Sequence, residues 1–175
     1  PKAANRTKSP NHTDPMRTCM PVTIREATLA DAATIADNNA KMAMETEGRS
    51  LAPDIVGPGV TALLADPQKG RYWIAEAEGR IVGQLMVTYE WSDWRNGMLW
   101  WIQSVYVAPC YRRKGVFSAL YRHVESLASA DSRACGIRLY VEKENCRAQQ
   151  TYAALGMTNP NYVVMESMFR RPEDD

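Results

Sequence analysis

The sequence has few of the residues that hold metal ions or build disulfide frameworks. Its 175 residues include two histidines and four cysteines, and the cysteines show neither a CxxC pair nor a Cys/His spacing typical of zinc sites. We therefore predict that the protein has no metal site. The thiols are expected to be reduced, as in a cytoplasmic protein.

Long apolar runs and an excess of charge are also absent from the sequence. No stretch approaches the roughly 20 apolar residues that cross a membrane, and the N-terminus has no signal-peptide core. The 21 basic and 20 acidic residues give a formal net charge of +1, which argues against a protein that binds nucleic acid by neutralising phosphates. We expect a soluble, cytoplasmic protein with neither nucleic-acid nor membrane partners.

The composition that remains is typical of one globular domain. The chain is 45% hydrophobic and 23% charged, and its length suffices for a single hydrophobic core. Residues 1–20 are polar and aperiodic, and we interpret them as a flexible leader or partly as sequence added for expression. A single domain is predicted at 21–171, followed by an acidic tail at 172–175.

The spacing of apolar residues predicts a mixed α/β fold. Alternating or continuous apolar runs predict strands, whereas three- and four-residue spacings predict helices. The predicted strands are 22–27, 71–77, 80–91, 98–107, 136–141 and 162–169, and the predicted helices begin near Thr28, Val60, Lys114 and Asn145. Short turns would join 71–107 into an antiparallel meander, and a helical crossover would make 98–107 and 136–141 a parallel pair. The predicted architecture is a mostly antiparallel central sheet of about six to seven strands with flanking helices.

The stretch 100–127 joins a predicted central strand to a helix through a basic turn. The turn reads Arg112-Arg113-Lys114-Gly115, and Phe117 is predicted to point toward the core with the apolar residues that follow it at helical spacing. A helix start has unpaired N–H groups and a partial positive charge, so this turn is predicted to bind an anion, typically a phosphate. The alternative is a merely solvated basic surface.

Three stretches resemble the GNAT superfamily of acyl-CoA-dependent N-acyltransferases. They are the strand-to-helix unit 105–118, the segment Asn145-Cys146-Arg147-Ala148 with Tyr152, and Leu155-Gly156-Met157. The family's phosphate loop is usually written Q/R-x-x-G-x-G/A. Arg112 and Gly115 match this pattern, whereas Phe117 departs from it.

The resemblance implies that acetyl-CoA is the cosubstrate. The parallel strand pair would splay apart around the pantetheine arm, and backbone N–H groups of the basic turn and helix start would hold the pyrophosphate. The cofactor-binding residues implied in this way are Val105, Tyr106, Val107, Arg112, Arg113, Lys114, Gly115, Val116, Phe117, Ser118, Asn145 and Ala148.

Transfer of an acetyl group to an amine requires both an acid and a base. The resemblance implies that Tyr152 is the general acid for the leaving thiolate, although an ordinary buried aromatic residue would have the same helical spacing. Glu90 is the predicted base and Asp93 its alternative, and each could instead be a solvated acid near a turn. Because no cysteine lies where an acyl-enzyme would obviously form, we predict direct attack by the amine in a ternary complex.

Acidic and aromatic residues predict a cationic acceptor. Glu45, Glu47, Trp91 and Asp93 are the predicted acceptor-binding residues, because carboxylates and aromatic faces attract an ammonium group. Several of the tryptophans could equally belong to the core. The sequence does not choose among a polyamine, an aminoglycoside, an amino acid and a protein N-terminus. A homodimer and a non-catalytic acyl-CoA-binding or sensor module remain open alternatives.

Overall fold

The computed structural model describes residues 21–160 and 162–169, so the predicted leader and acidic tail lie outside the described residues. Short 3-10 turns precede the first and third helices. The elements, in chain order, are β1 (Thr23–Glu26), α1 (Ala32–Glu47), α2 (Pro53–Leu64), β2 (Arg71–Ala77), β3 (Arg80–Ser92), β4 (Gly97–Val107), α3 (Val116–Ala130), β5 (Ala134–Leu139) and α4 (Cys146–Ala154). Helix α2 begins earlier than predicted, because Pro53 occupies its first turn, where a missing N–H group costs nothing.

The five strands form one sheet in the order β1-β2-β3-β4-β5. Neighbouring strands are antiparallel except β4 and β5, which are parallel and are connected through α3. This arrangement confirms the predicted mixed sheet, in which the meander and the helical crossover have the expected directions.

The predicted final strand at 162–169 is not formed, so the described sheet has five strands instead of six or seven. Apolar residues in this segment follow one another without strict alternation, and Met165 and Phe169 are 90% and 93% exposed. A strand is stabilised by ladder hydrogen bonds and by burial of at least one face. This segment has neither in the described structure, and its β-propensity alone does not make a strand.

The described chain divides into two compact units. The first extends to Tyr140 and contains the sheet with α1, α2 and α3. The second begins at Val141 and contains α4.

Helices cover both faces of the sheet in the first unit. Successive side chains of β2 point to opposite faces, so Tyr72 and Ile74 pack with Ile35 of α1 and Val60 of α2. Trp73 lies on the other face, where its ring centroid is 6.5 Å from that of His123 in α3. The core therefore has two layers, one on each side of the sheet.

Gly83 allows α3 to approach the sheet closely. A Cβ atom at this position would lie 2.8 Å from Cγ1 of Val116 and 3.4 Å from Cδ1 of Leu120. Both of these helix residues are buried, so the first turn of α3 is held directly against β3.

A buried carboxylate joins β1 to the start of α1. Asp31 accepts hydrogen bonds from Arg25 at 2.8 and 2.9 Å and from the Thr28 N–H at 2.7 Å, and Arg25 also contacts Glu76 at 2.7 Å. The Arg25 guanidinium is the main cause that lowers the pKa of Asp31 from 3.8 to about 2. Because the folded-state pKa is depressed, the stabilisation is present above pH 3.8 and is lost as the pH falls through about 2.

Replacing Asp31 by asparagine is expected to lower the free energy of unfolding at pH 7 by about 1–2 kcal/mol. Urea denaturation would measure the difference, which should shrink as the pH approaches 2. Asp37→Asn is the matched control, because Asp37 pairs with Lys41 on the exposed face of α1. Equal losses in the two variants would contradict a special role for the buried carboxylate.

Candidate active site

The connection from β4 to α3 has the predicted order of strand, basic turn and helix. A 3-10 turn at Pro109–Tyr111 follows β4, and Arg113 and Gly115 then adopt left-handed backbone conformations with φ of 64° and 83°. Gly115 is the N-cap of α3, where a residue with a Cβ would be strained. The loop therefore depends on glycine at the position that the phosphate-loop pattern requires.

The start of α3 presents backbone N–H groups at this loop. The ladder begins with the Ala119 N–H, which donates to the Gly115 carbonyl at 2.9 Å. The first turn of the helix precedes this bond, so the partial positive charge of the helix is directed at the loop.

Arg112 is fixed by three neighbours. Its Nε donates to the Val107 carbonyl at 2.8 Å, a terminal nitrogen contacts Glu45 Oε2 at 2.5 Å, and the guanidinium lies 5.7 Å from the Tyr106 ring centroid. The structure thus joins a predicted cofactor-binding cation to a predicted acceptor-binding acid. The Arg113 and Lys114 side chains are exposed, and Lys114 Nζ lies 5.5 Å from the Tyr111 ring centroid.

Phe117 is placed along the side of α3. Its ring centroid lies 6.2 Å from that of Tyr121, one helical turn later, and the residue is half-buried. Val116 and Leu120 are the residues at the helix start that are buried deepest. The Phe117 side chain therefore contacts its own helix through a tilted ring pair and is less buried than Val116 and Leu120.

Strand β4 carries a bulge just before the loop. Gln84 of β3 pairs with Tyr106 and Met86 pairs with Gln103, so Leu85 faces two residues of β4, Ser104 and Val105. Ser104 has a φ of 48°, which is unusual for a residue other than glycine. The bulge includes Val105, which is one of the predicted cofactor-binding residues.

The parallel strands β4 and β5 form a fork. Their pairing ends at Ile102 and Leu139, whereas β4 continues to Val107. The bulge and the basic turn at 112–115, the phosphate-type loop, therefore both lie beyond the last β4–β5 pair. This geometry agrees with the predicted splayed pair.

A fully buried amide network underlies the bulge. Gln84, which is 0% exposed, accepts from Asn38 at 2.9 Å and donates to Asn39 at 2.9 Å, and Asn39 donates to the Tyr72 hydroxyl at 3.0 Å. A hydrogen bond between Tyr72 and Ser104 continues the network to β4. The network connects α1 with three strands at the level of the bulge.

Glu90 lies in a polar and aromatic cluster on the open part of the α1 face of the sheet. One carboxylate oxygen accepts from Trp101 Nε1, and the other lies 3.3 Å from Arg138 NH1. The Trp101 ring centroid lies 4.5 Å from that of Tyr140 and 5.7 Å from Cζ of Arg138. We call Glu90, Trp101, Arg138 and Tyr140 the fork cluster, since Trp101 and Arg138 pair one step before the fork.

The structure does not bring all the predicted acceptor residues together. Glu45 lines an open pocket of about 420 Å³ between the end of α1 and the following loop, and Glu47 is exposed at the end of the same helix. Trp91 and Asp93 are exposed at the β3–β4 turn. Both residues lie farther along the chain than Glu90, which pairs with Leu99 of β4. Leu99 is roughly 25 Å along β4 from Val107. Because Arg112 binds both the Val107 carbonyl and Glu45, Glu45 lies far from Trp91 and Asp93.

The second unit positions Asn145, Ala148 and Tyr152 on one helix. The Asn145 side-chain oxygen accepts from the Ala148 N–H at 3.0 Å, so Asn145 is the N-cap of α4, and this helix begins where the sequence predicts it. Tyr152 lies in the last turn of α4, and burial raises the pKa of its phenol above 10. Gly156 follows the helix with a φ of 89°, as expected for a helix end.

Sequence reasoning missed Arg138 and the buried amides. Arg138 gave no signal, because a single basic residue in a strand is common and its relation to Glu90 depends on the strand register. Gln84 offered a weak signal: an amide inside an otherwise apolar strand must find buried partners.

The described residues contain no group of three or more metal-binding side chains and no helix with the length and hydropathy of a membrane span. Cys110, Cys135 and Cys146 are exposed free thiols. Trp100 is buried and stacks on Trp73, so that tryptophan belongs to the core and not to an acceptor pocket.

The forked parallel pair and the glycine at the start of α3 are features that the resemblance to the GNAT superfamily implies. The chain belongs to the acetyltransferase (GNAT) family, because the sequence model of that family matches residues 40–157. Its enzyme class is therefore that of a GNAT-type N-acetyltransferase.

Solved structures share this fold. A possible acetyltransferase from Clostridium difficile 630 is 46% identical with a TM-score of 0.80, over 86% of this chain and 99% of that one. A predicted acetyltransferase from Clostridium acetobutylicum, determined with acetyl-CoA, is 17% identical with a TM-score of 0.69, over 83% of this chain and 96% of that one. A ribosomal-protein-alanine N-acetyltransferase from Brucella melitensis biovar Abortus 2308 is 18% identical with a TM-score of 0.69, over 86% and 100% of the respective chains. No curated protein gives a significant sequence match.

Proposed function

We propose that the protein transfers an acetyl group from acetyl-CoA to a primary amine of a small molecule or peptide, by direct attack in a ternary complex. The observation that carries this proposal is the left-handed Gly115 at the start of α3, directly after the forked strand β4. The cytoplasmic location and a homodimer stay predictions.

The residues around α3 fit the charge and shape of a pyrophosphate. Left-handed residues in a loop can direct successive N–H groups to one side, and the helix start adds its partial positive charge. We assign the pyrophosphate to backbone N–H groups between Arg113 and Ser118, with cationic side chains at Arg112, Arg113 and Lys114. Arg112 would contribute while it remains bonded to the Val107 carbonyl.

The end of β4 fits the pantetheine arm and the thioester. Val105, Tyr106 and Val107 lie beyond the last β4–β5 pair, so their backbone groups are assigned to the arm. The bulge interrupts the ladder with β3, and we assign an N–H at Val105 or Tyr106 to the oxyanion. In the second unit, Asn145 caps α4 through its oxygen and would donate its amide N–H groups to the arm.

Bound acetyl-CoA would supply an activated acyl carbon and a thiolate leaving group. An alkyl ammonium of pKa about 10.4 is neutral at pH 7 only at a cost near 4.6 kcal/mol, so a carboxylate that accepts its proton assists attack. We assign this role to Glu90. One of its oxygens already accepts from Trp101 Nε1, and the other lies 3.3 Å from Arg138 NH1, so the orientation of the carboxylate is fixed. Tyr152 is assigned to protonate the departing sulfur.

A thermal-shift measurement with CoA and acetyl-CoA tests the donor site. A ligand at 100 times its Kd should stabilise the protein by about 2.7 kcal/mol. We expect Gly115→Val to weaken CoA binding at least about tenfold, or about 1.4 kcal/mol, because the side chain forces the loop out of its left-handed conformation. The readout is the Kd from a CoA titration.

Gly79→Val is the matched control for backbone strain. Gly79 has a φ of 70° in the β2–β3 turn, with nothing within 4 Å of its added Cβ, so the substitution is strained but remote from α3. If both variants bound CoA as the parent protein does, the assignment of the loop would be wrong. CoA binding without thiol release on any amine would favour the non-catalytic acyl-CoA-binding module.

A further inference from the structure

The fork cluster combines one carboxylate and one guanidinium with two aromatic rings on an open sheet face. Glu90 and Arg138 are 45% and 31% exposed at their side chains, and Tyr140 is 56% exposed. A partly exposed ion pair of this kind typically contributes at most about 1 kcal/mol to stability. A contribution to fold stability therefore gives little reason for the Glu90–Arg138 pair.

Strand register places three of the four side chains on one surface, and Tyr140, which follows β5, joins them through its ring contact with Trp101. Thr88 pairs with Trp101 and Trp101 pairs with Arg138, so the side chains of these three residues share a face. Glu90 lies two residues after Thr88 on the same face. The cluster spans three strands and lies before the fork, and the thioester is assigned to the bulge that follows the fork on β4.

The chemistry of the fork cluster matches a ligand with charges of both signs. Glu90 accepts only one contact at each oxygen in the described contacts, so each oxygen keeps a lone pair for an ammonium group. Arg138 uses one N–H toward Glu90 and has a planar fork that suits a carboxylate. Arg138 NH1 lies 3.3 Å from a Glu90 oxygen, so a ligand with an ammonium and a carboxylate group on one carbon atom can reach both side chains.

The same arrangement disfavours the other acceptors that the sequence left open. A polyamine or an aminoglycoside would bring several cations to a carboxylate that already has a guanidinium 3.3 Å away. A peptide N-terminus has no carboxylate on the carbon next to its amine, so Arg138 would have no partner in it.

We propose that the acetyl acceptor is a free α-amino acid with a large apolar or aromatic side chain. Arg138 holds its carboxylate, Glu90 holds its α-ammonium group, and the rings of Trp101 and Tyr140 pack against its side chain. This inference rests on the proposed acetyl transfer, and it makes Arg138 a determinant of acceptor specificity.

The test compares L-phenylalanine, phenylalaninamide and phenethylamine as acceptors in a thiol-release assay with the full chain. These amines share a ring, and only the first has a carboxylate. We expect the parent protein to prefer phenylalanine, and Arg138→Gln to lower kcat/KM for phenylalanine about 10- to 100-fold while changing phenethylamine less than about threefold. Arg138→Lys should recover part of the preference. Arg133→Gln is the control, because Arg133 is exposed and pairs with Asp131.

Three outcomes would overturn the inference. Efficient acetylation of phenethylamine or phenylalaninamide with no preference for the carboxylate would leave acetyl transfer intact and refute the amino-acid acceptor. Equal losses on all three amines in Arg138→Gln would give Arg138 a structural role only. If no amine is acetylated, calorimetric titration with phenylalanine decides: equal binding, or no binding, by the parent and Arg138→Gln refutes the site, and the absence of CoA binding separately refutes the proposed function.

Discussion

Replacing Tyr152 by phenylalanine should lower kcat by about 10²- to 10⁴-fold, the usual contribution of a positioned general acid. The substitution removes one oxygen from a half-buried side chain in α4 and keeps the ring. KM for acetyl-CoA should change little, because the phenol is assigned to the departing sulfur and not to binding. Steady-state kinetics with the best acceptor would measure the separation of kcat from KM.

The pKa of Tyr152 determines how the proton can move. Burial raises this pKa above 10, whereas an ordinary thiol has a pKa of about 8.5, so complete transfer to the thiolate is uphill by at least about 2 kcal/mol. The phenol is therefore expected to donate a hydrogen bond as the C–S bond breaks, and not to transfer its proton beforehand. The active, protonated form is present below the raised pKa and is lost only above pH 10.

The upward direction of the Tyr152 pKa shift provides a second measurement on Tyr152→Phe. The parent protein should show no fall in kcat between pH 8 and 9.5 that is due to Tyr152. A basic limb in that range that disappeared in Tyr152→Phe would contradict the assignment. Tyr162→Phe is the control, because Tyr162 belongs to the same unit and is 77% exposed.

Replacing Gln84 by leucine should destabilise the protein by about 2–4 kcal/mol, or roughly 5–15 °C in Tm. The leucine has a suitable volume for the buried position, but it leaves the Asn38 amide and the Asn39 oxygen without their partner. Each buried polar atom that loses its hydrogen bond costs about 1–3 kcal/mol. The free energy of unfolding in urea would measure the loss.

Gln103→Leu is the matched control for Gln84. Gln103 is also an amide in the central sheet, and it donates to Thr88 at 2.6 Å, but it is only partly buried. Water can replace that bond, so we expect a loss below about 1 kcal/mol. Similar losses in the two variants would show that the buried hydrogen bonds of Gln84 stabilise the fold no more than the partly buried bond of Gln103.

Local signals in the sequence predicted the conformations of the basic turn and of the ends of α4 well. The basic turn with Gly115, the N-cap Asn145 and the helix-ending Gly156 each act within a few residues, so their conformations follow from the chain around them. The prediction of a strand at 162–169 was wrong for the opposite reason. The β-propensity of this segment needed a paired neighbour, and propensity cannot supply one.

Features that depend on register could not be predicted from the sequence. Arg138 meets Glu90 because β5 lies parallel to β4 in one particular register, which no pattern within either strand specifies. The alternation of β4 was also misleading. Simple alternation along β4 would place Ile102 and Tyr106 on the same face, but the bulge places them on opposite faces.

The bulge at Ser104 and Val105 lets one strand serve two sides of the sheet. Before it, the even-numbered residue Ile102 belongs to the face with α3, and after it Tyr106 belongs to the face with α1 and Arg112. The extra residue shifts β4 by half of its two-residue period. Loss of one residue here would therefore turn the side chains of β4 between the bulge and the basic turn to the opposite face of the sheet. The length of β4 is thus as much a part of the proposed site as any side chain in it.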